Sequence, residues 1–162
     1  LLEKKKSFRL SVYPVYGQER QFRQWLYEKK LHVEQLPSII HLPIRLQFKL
    51  NSPLWHWQSK LVINKLNPLR VGAVIHQDDC IKEIIPYVAE YDKTIAKAVI
   101  EQYFTYLEAG KWFVKVNQYE WRKLRSFRFY RYIEDALIGD QLFIQHLIRE
   151  MCAKKMLYTH KC

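Results

Sequence analysis

A long buried helix is predicted by residues 92–110, which read DKTIAKAVIEQYFTYLEAG. Apolar residues recur in this stretch at the spacing of one helix face: Ile95, Val99, Tyr103 and Tyr106. Asp92 is a suitable N-cap, because its carboxylate can accept hydrogen bonds from the amides of the first turn, and Gly110 fits the position after the last turn. We expect this helix at the centre of the fold.

Further helices are predicted on both sides of it. Residues 18–31 carry apolar side chains at helical spacing. Asp78 and Asp79 favour another helix start, because acidic groups stabilise the N-terminal end of the helix dipole, and Pro86 limits that helix.

The chain after Gly110 is predicted to form a short strand over 112–116 and then two helices. Asn117 followed by Glu120 resembles a capping box, which predicts a helix start at Asn117. Gly139 is expected to close this helix and Asp140 to open the last one.

Strands are predicted mainly in the first half. Residues 42–50 alternate between apolar side chains and a face that carries Arg45 and Lys49, which is typical of a half-buried strand. Residues 7–13 alternate in the same way, residues 69–75 fit a short buried strand, and residues 54–66 fit a strand or another element.

These elements predict an α+β fold with a small, mostly antiparallel sheet and one helix in the N-terminal half, and a helical C-terminal half packed on it. We expect a single compact unit over 1–162, with a β-rich half at 1–76 and a helical half at 77–162.

Composition narrows the class of protein. Of the 162 residues 49% are hydrophobic and only 4 are Gly, so a disordered or collagen-like chain is excluded. There is no apolar run long enough for a transmembrane helix, so no membrane partner is expected. Three cysteines do not make a disulfide framework, and we expect a reducing intracellular location, cytoplasmic or nuclear.

Charge is the strongest functional signal. The chain has 27 Lys and Arg against 16 Asp and Glu, a formal net charge of +11. Residues 78–110 are acidic, whereas residues 111–132 carry seven basic side chains and one acidic one. Segregated positive charge attracts polyanions or acidic protein surfaces.

The basic segment is also rich in aromatic residues, which suits nucleic acid because cations bind phosphates and flat rings stack on unpaired bases. The candidate binding residues in this segment are Lys111, Trp112, Lys115, Trp121, Arg122, Lys123, Arg125, Arg128 and Arg131. Arg45 and Lys49, on the open face of the predicted strand, are candidates for the same surface, and the lysines of 4–6 could extend it. The alternative is that the aromatic residues are core and the arginines a solvated helix face.

The sequence favours a non-enzymatic nucleic-acid-binding protein, for DNA or RNA, that acts as a subunit of a larger nucleoprotein complex. One alternative is a scaffold subunit that docks an acidic protein, because Trp, Tyr and Arg dominate such interfaces. Another is a metal-dependent nuclease using Asp78, Asp79 and Glu83, although the first two are explained as helix starters. Known nucleophile, phosphate-loop and zinc-ligand patterns are missing, so no cofactor and no metal are expected.

Overall fold

The computed structural model describes residues 1–11 and 16–159, and the side chains of the last helix as far as Lys154. The helices are α1 (Leu2–Arg9), α2 (Gly17–Glu28), α3 (Leu54–Leu61), α4 (Gln77–Ile84), α5 (Lys93–Ala109) and α6 (Ile133–Thr159). The strands are β1 (Val74–His76), β2 (Phe113–Asn117) and β3 (Glu120–Lys123). The α+β class is confirmed, with most residues helical and one small antiparallel sheet.

Helix α5 forms the centre of the core, as its sequence predicts. Asp92 accepts hydrogen bonds from the backbone amides of Thr94 and Ile95, and Gly110 is the C-cap. The buried side chains of α5 reach both halves of the chain. Tyr103 packs edge-on against Trp57 of α3, and Phe104 stacks on Trp121 of β3 with ring centroids 4.1 Å apart. Burying aromatic rings of this size is a major stabilising contribution.

The sheet has the order β1-β3-β2, and both pairings are antiparallel. Trp121 lies opposite Ile75 on one side and Lys115 on the other, so these three side chains share the inner face of the sheet. Arg122 lies opposite Val74 and Val114 on the outer face, which is exposed. The sheet therefore places Lys115 and Arg122 on opposite faces.

The strand predicted over 42–50 is wrong. Residues Arg45–Lys49 form a 3-10 helix, and only Leu50 makes an isolated bridge, with Val88. The side-chain amide of Gln58 is buried and makes two hydrogen bonds to the backbone of Leu42. Its oxygen accepts from the Leu42 N–H at 2.8 Å, and its nitrogen donates to the Leu42 carbonyl at 2.7 Å. One side chain thus supplies the hydrogen bonds that a neighbouring strand would have supplied.

Other N-terminal strand predictions also fail. Residues 7–9 of the strand predicted over 7–13 belong to α1, and residues 12–13 lie outside the described residues. Residues 54–66, for which the sequence allows a strand or another element, are helical, as α3 and a following π-helical turn at Val62–Leu66. Of the strand predicted over 69–75, only the end appears, in β1. Most of the sheet therefore comes from the second half of the chain, rather than from residues 1–76.

The helix predicted from Asn117 is replaced by a hairpin turn, strand β3 and an irregular segment after it. The side-chain oxygen of Asn117 accepts from the Tyr119 backbone N–H at 2.9 Å, and its amide donates to Glu120 at 2.6 Å. The bond from the Tyr119 amide to the Asn117 side chain is one that a helix N-cap would also make, but here it closes the β2–β3 turn. Helix α6 begins only at Ile133, and it runs through Gly139 and Asp140 without the predicted break.

Candidate nucleic-acid interface

A groove of about 290 Å³ lies between the irregular segment that follows β3 and helix α6. Its lining includes Trp112, Arg125, Arg128, Tyr130, Phe143 and His146, and we call it the arginine groove. The irregular segment allows this arrangement, because its side chains are not tied to one helix face. Phe127 and Tyr130 point inward and are buried, whereas Arg125 and Arg128 are exposed.

Arg125 is held in place on one wall of the groove. Its guanidinium carbon lies 4.0 Å from the centroid of the Trp112 ring, and its Nη2 donates to the Gly110 carbonyl at 2.7 Å. A Cβ at position 110 would overlap the Trp112 ring, so glycine is needed for this packing. Partial burial lowers the pKa of Arg125, but an arginine remains charged in proteins.

Arg128 lines the groove together with Tyr130. Its guanidinium carbon is 5.3 Å from the Tyr130 centroid, within cation–π range. The Tyr130 hydroxyl is 2.7 Å from the hydroxyl of Ser38, and a Cβ at position 139 would overlap that tyrosine hydroxyl. Gly139, which the sequence suggested as a helix end, is instead the point where Tyr130 packs closely on α6.

The charged side chains that line the groove are the two arginines. No Asp or Glu lines it, and among the described residues neither Arg125 nor Arg128 forms an ion pair. Both cations are therefore available to an anion, while aromatic rings lie beside them. A narrow concave surface with cations and flat apolar groups can bind the phosphates and bases of a nucleic acid strand.

Two of the predicted binding residues are buried in the core. The Lys123 ammonium donates to the carbonyls of Leu66, Asn67 and Leu69, and burial lowers its pKa. Trp121 is 1% exposed, and its indole N–H donates to Glu108 at 2.9 Å. Both side chains stabilise the fold and are not accessible to a ligand from solvent.

Four other predicted residues are exposed around the sheet and the segment: Lys111, Lys115, Arg122 and Arg131. The Lys115 ammonium lies 5.4 Å from the Trp121 centroid on the inner face of the sheet, and Arg122 lies on the outer face. Arg131 lies 5.3 Å from the ring of Tyr132. None of the four is among the residues that line the arginine groove.

Arg45 and Lys49 are exposed, but on the 3-10 helix and not on a strand. The backbone N–H of Arg45 donates to the side chain of Gln102 on α5 at 3.0 Å. Lys49 lies 5.5 Å from the ring of Phe48. A separate shallow pocket lined by Arg45 and Met151 is present there, so these cations lie outside the arginine groove.

The lysine cluster near the N-terminus is partly internal. Lys5 is 2% exposed and donates to the carbonyls of Ser38, at 2.7 Å, and Ile40. Burial lowers its pKa to about 7, and the neighbouring Asp140 partly offsets this effect. Arg9 is also buried, in a two-pronged ion pair with Asp140 at 2.6 and 2.9 Å.

The groove includes residues that the sequence does not single out. Phe143 and His146 come from α6, and Ser126 lies between the two arginines. The His146 ring nitrogen Nε2 is 3.2 Å from the Ala109 carbonyl. Only the tertiary packing of α6 on the basic segment brings them there; the sole hint in the sequence is the helical periodicity of α6.

The carboxylates considered for a nuclease have local roles. Asp78 lies 3.6 Å from His76, Asp79 lies 3.9 Å from Lys82, and Glu83 accepts from Asn64 at 2.8 Å. In the described part of the chain, no three His, Cys, Asp or Glu side chains are placed to hold a metal ion. Of the cysteines, Cys80 is buried and Cys152 exposed, both with free thiols, and Cys162 lies outside the described residues.

Among residues 1–11 and 16–159 there is no helix with the length and apolar character needed to cross a bilayer. Comparison with the curated proteins and with the solved structures gave no significant match. A family model described as the C-terminal domain of competence protein CoiA matches residues 2–137. Because that match covers well over half of the sequence, this chain belongs to the family of competence protein CoiA C-terminal domains.

Proposed function

We propose that this chain binds single-stranded DNA in the arginine groove, as a non-enzymatic part of a larger nucleoprotein assembly. The observation that carries the proposal is the pairing of Arg125 with Trp112 and of Arg128 with Tyr130 around a groove without carboxylates. The family description supports DNA as the nucleic acid, because competence is the uptake and processing of DNA.

The form of the groove favours a single strand over a duplex. A cavity of about 290 Å³ can take a flat base and its phosphate, whereas a duplex can touch only the rim. One face of the Arg125 guanidinium lies against Trp112, and its other face is a flat cationic platform on which an unpaired base can stack. Arg128 then neutralises a backbone phosphate.

The test is binding of a labelled mixed-sequence single strand, and of its duplex, measured by fluorescence anisotropy at low and moderate salt. Affinity for the single strand should be the higher, and it should fall as salt rises because phosphate contacts release counterions. Replacing both groove arginines in Arg125→Ala/Arg128→Ala should weaken binding at least about tenfold and reduce the log–log salt slope by about 2.

A matched control removes the same number of charges away from the groove. The Arg45→Ala/Lys49→Ala variant lowers net charge equally and should lose much less affinity. Equal losses in the two variants, or no binding by the wild type at low salt, would overturn the proposal. Equal or tighter binding of the duplex would contradict the groove as the site.

The same experiment separates DNA from an acidic protein partner. Polyglutamate carries a regular row of charges but no bases, so it cannot stack on Arg125. We expect single-stranded DNA to compete for the groove at lower concentration than polyglutamate of similar charge. The reverse order would favour the acidic-partner alternative.

A further inference from the structure

Residues 33–40 supply part of the lining of the arginine groove, and Tyr130 is bonded to them at two points. Ser38 lines the groove, and its hydroxyl lies 2.7 Å from the Tyr130 hydroxyl. The backbone N–H of Tyr130 donates to the carbonyl of Gln35 at 2.8 Å. The position of the Tyr130 ring, beside which Arg128 lies, therefore depends on where the backbone of residues 33–40 is held.

Two buried cations of α1 bind the backbone of the same residues. The Lys5 ammonium donates to the carbonyls of Ser38 and Ile40. Arg9 donates to the carbonyl of Glu34 at 3.0 Å. Both cations are shielded from solvent, with 2% and 6% of their surface exposed, and neither lines the groove. Hydrogen bonds from a charged donor are roughly twice as strong as neutral ones, so these cations fix the backbone behind the lining.

We propose that Lys5 is a positioning residue of the arginine groove: its charged ammonium holds the backbone at Ser38, and the Ser38 hydroxyl in turn holds the ring of Tyr130. The neutral amine keeps N–H donors but loses the assistance of the charge, so it holds the lining less tightly. The effect on binding rests on the proposed function, because the ligand is the single strand proposed for the groove. Affinity then depends on the protonation of a residue that the strand does not touch.

The groups around Lys5 favour a change of its charge near neutral pH. Burial lowers the pKa of Lys5 to about 7; Asp140 of α6 partly offsets this effect, and Arg9 of α1 adds to it. His41 is neutral above pH 7, because burial lowers its pKa to about 4, and the Tyr130 hydroxyl approaches from the basic segment. Since the protonated form of Lys5 holds the lining, affinity should be highest below pH 7 and fall as pH rises through 7.

The pH profile of DNA binding tests this role in a way that a merely structural residue would not pass. Affinity for a labelled single strand is measured by fluorescence anisotropy at fixed ionic strength from pH 6 to pH 9, in a His146→Gln background that removes the imidazole lining the groove. Wild-type Lys5 should give a fall of at least about threefold over this range. Lys5→Met should bind more weakly at pH 6 and give a flatter profile.

A second variant leaves Lys5 in place and breaks its link to the groove. Ser38→Ala removes the hydroxyl bonded to Tyr130 and should flatten the profile as Lys5→Met does. The control Lys93→Met removes an exposed cation outside the groove and should keep the slope measured with Lys5 present. A profile for Lys5→Met or Ser38→Ala as steep as that of the control would overturn the proposal.

A measurement without DNA separates this inference from the proposed function. The backbone amide of Tyr130 in the free chain is followed by two-dimensional NMR, and its resonance should move with a midpoint near pH 7. In Lys5→Met this movement should be lost. A chain that shows the movement but binds no single strand would refute the proposed function and still support the positioning of Tyr130 by Lys5. A chain that binds the strand without the movement would refute the positioning by Lys5 alone.

Discussion

Two regions of the molecule hold clustered cations and use them in opposite ways. At the N-terminal end, Lys5 and Arg9 are buried and bonded to backbone carbonyls and to Asp140. In the arginine groove, Arg125 and Arg128 are exposed and lie on aromatic rings without a carboxylate. The two regions adjoin, because Tyr130 has Arg9 and Arg128 near its ring, at 5.4 and 5.3 Å. Net charge alone therefore does not locate a binding surface; what each cation already contacts does.

The largest effect is expected from breaking the buried ion pair. Asp140→Ala leaves the Arg9 guanidinium buried without its counter-charge and should lower the free energy of unfolding by about 3–5 kcal/mol. Urea denaturation measures this loss. The control Asp135→Ala removes an exposed carboxylate of the same helix and should change stability by less than about 0.5 kcal/mol. Equal losses of stability in the two variants would show that the buried ion pair does not stabilise the fold.

A second prediction concerns Gly139, where the two regions meet. Gly139→Ala places a methyl group in the space of the Tyr130 ring and should cost about 1–3 kcal/mol, despite the better helix propensity of alanine. Because Tyr130 lines the groove, DNA affinity should fall as well. In a Tyr130→Ala background the same substitution should become neutral or stabilising, and a cost that persisted there would contradict the steric explanation.

A third prediction is that Lys123, although it belongs to the basic segment, stabilises the fold and does not contribute to DNA binding. Lys123→Met removes the donor for three carbonyls and should lower the free energy of unfolding by about 1–3 kcal/mol. Below the unfolding transition, its affinity for single-stranded DNA should match that of the wild type in the anisotropy titration. A large loss of affinity in the folded variant would assign Lys123 a binding role.

The protonation of Lys5 makes stability depend on pH. Its pKa is lowered from 10.5 to about 7 in the folded chain, mainly by burial, so the unfolded chain holds more protons above pH 7. Stability should therefore rise from pH 7 to pH 9, by at most about 1.4 kcal/mol per pH unit. Above this range the Cys80 thiol opposes it, because burial raises the pKa of that thiol to about 12.

The variant Lys5→Met isolates this contribution. Chemical denaturation in buffers of matched ionic strength should give a flatter profile between pH 7 and pH 9 than the wild type gives. Below about pH 6.5 both proteins should lose stability, because burial lowers the pKa of His41 to about 4 and the unfolded chain takes up that proton first. The variant should lose less, because the charge of Lys5 also lowers the pKa of His41. Identical slopes above pH 7 would contradict the role of Lys5.

The smallest change in stability is expected in the groove. Arg128→Ala removes an exposed side chain that has no carboxylate partner among the described residues, so the free energy of unfolding should stay within about 0.5 kcal/mol of wild type. Its salt slope for DNA binding should fall by about 1. Thermal melts and anisotropy titrations on the same preparation measure both quantities. Strong destabilisation would place Arg128 with the structural cations instead.

The sequence predicts those elements whose signals are local. Helix α5 follows from its apolar period and its Asp92 and Gly110 ends, and β2 from its β-branched residues. Residues 42–50 mislead because the alternation gives no information about the distant Gln58, whose amide takes the place of a strand partner. Asn117 misleads because its side-chain oxygen can accept from a backbone amide two residues on in a turn as well as at a helix start.

The candidate site, like the fold, is predicted from the sequence only where the signal is local. Composition identifies the basic aromatic segment, and three of its candidates, Trp112, Arg125 and Arg128, do line the groove. Arg122 is exposed and Lys123 is buried because successive side chains of a strand point to opposite faces. The sequence predicts a helix over this stretch, so it does not predict that alternation. The α6 side chains that complete the groove depend on tertiary packing, which local sequence does not record.

The stack of Arg125 on Trp112 has a consequence for binding kinetics. A free arginine side chain loses much of its rotational entropy when a ligand immobilises it. Arg125 has already lost that freedom in folding, through the ring beneath it and its bond to the Gly110 carbonyl. In the proposed complex the strand would contact an arginine that is already ordered, so less of the interaction energy would be lost to ordering. Such a complex should dissociate more slowly than one formed with a mobile arginine.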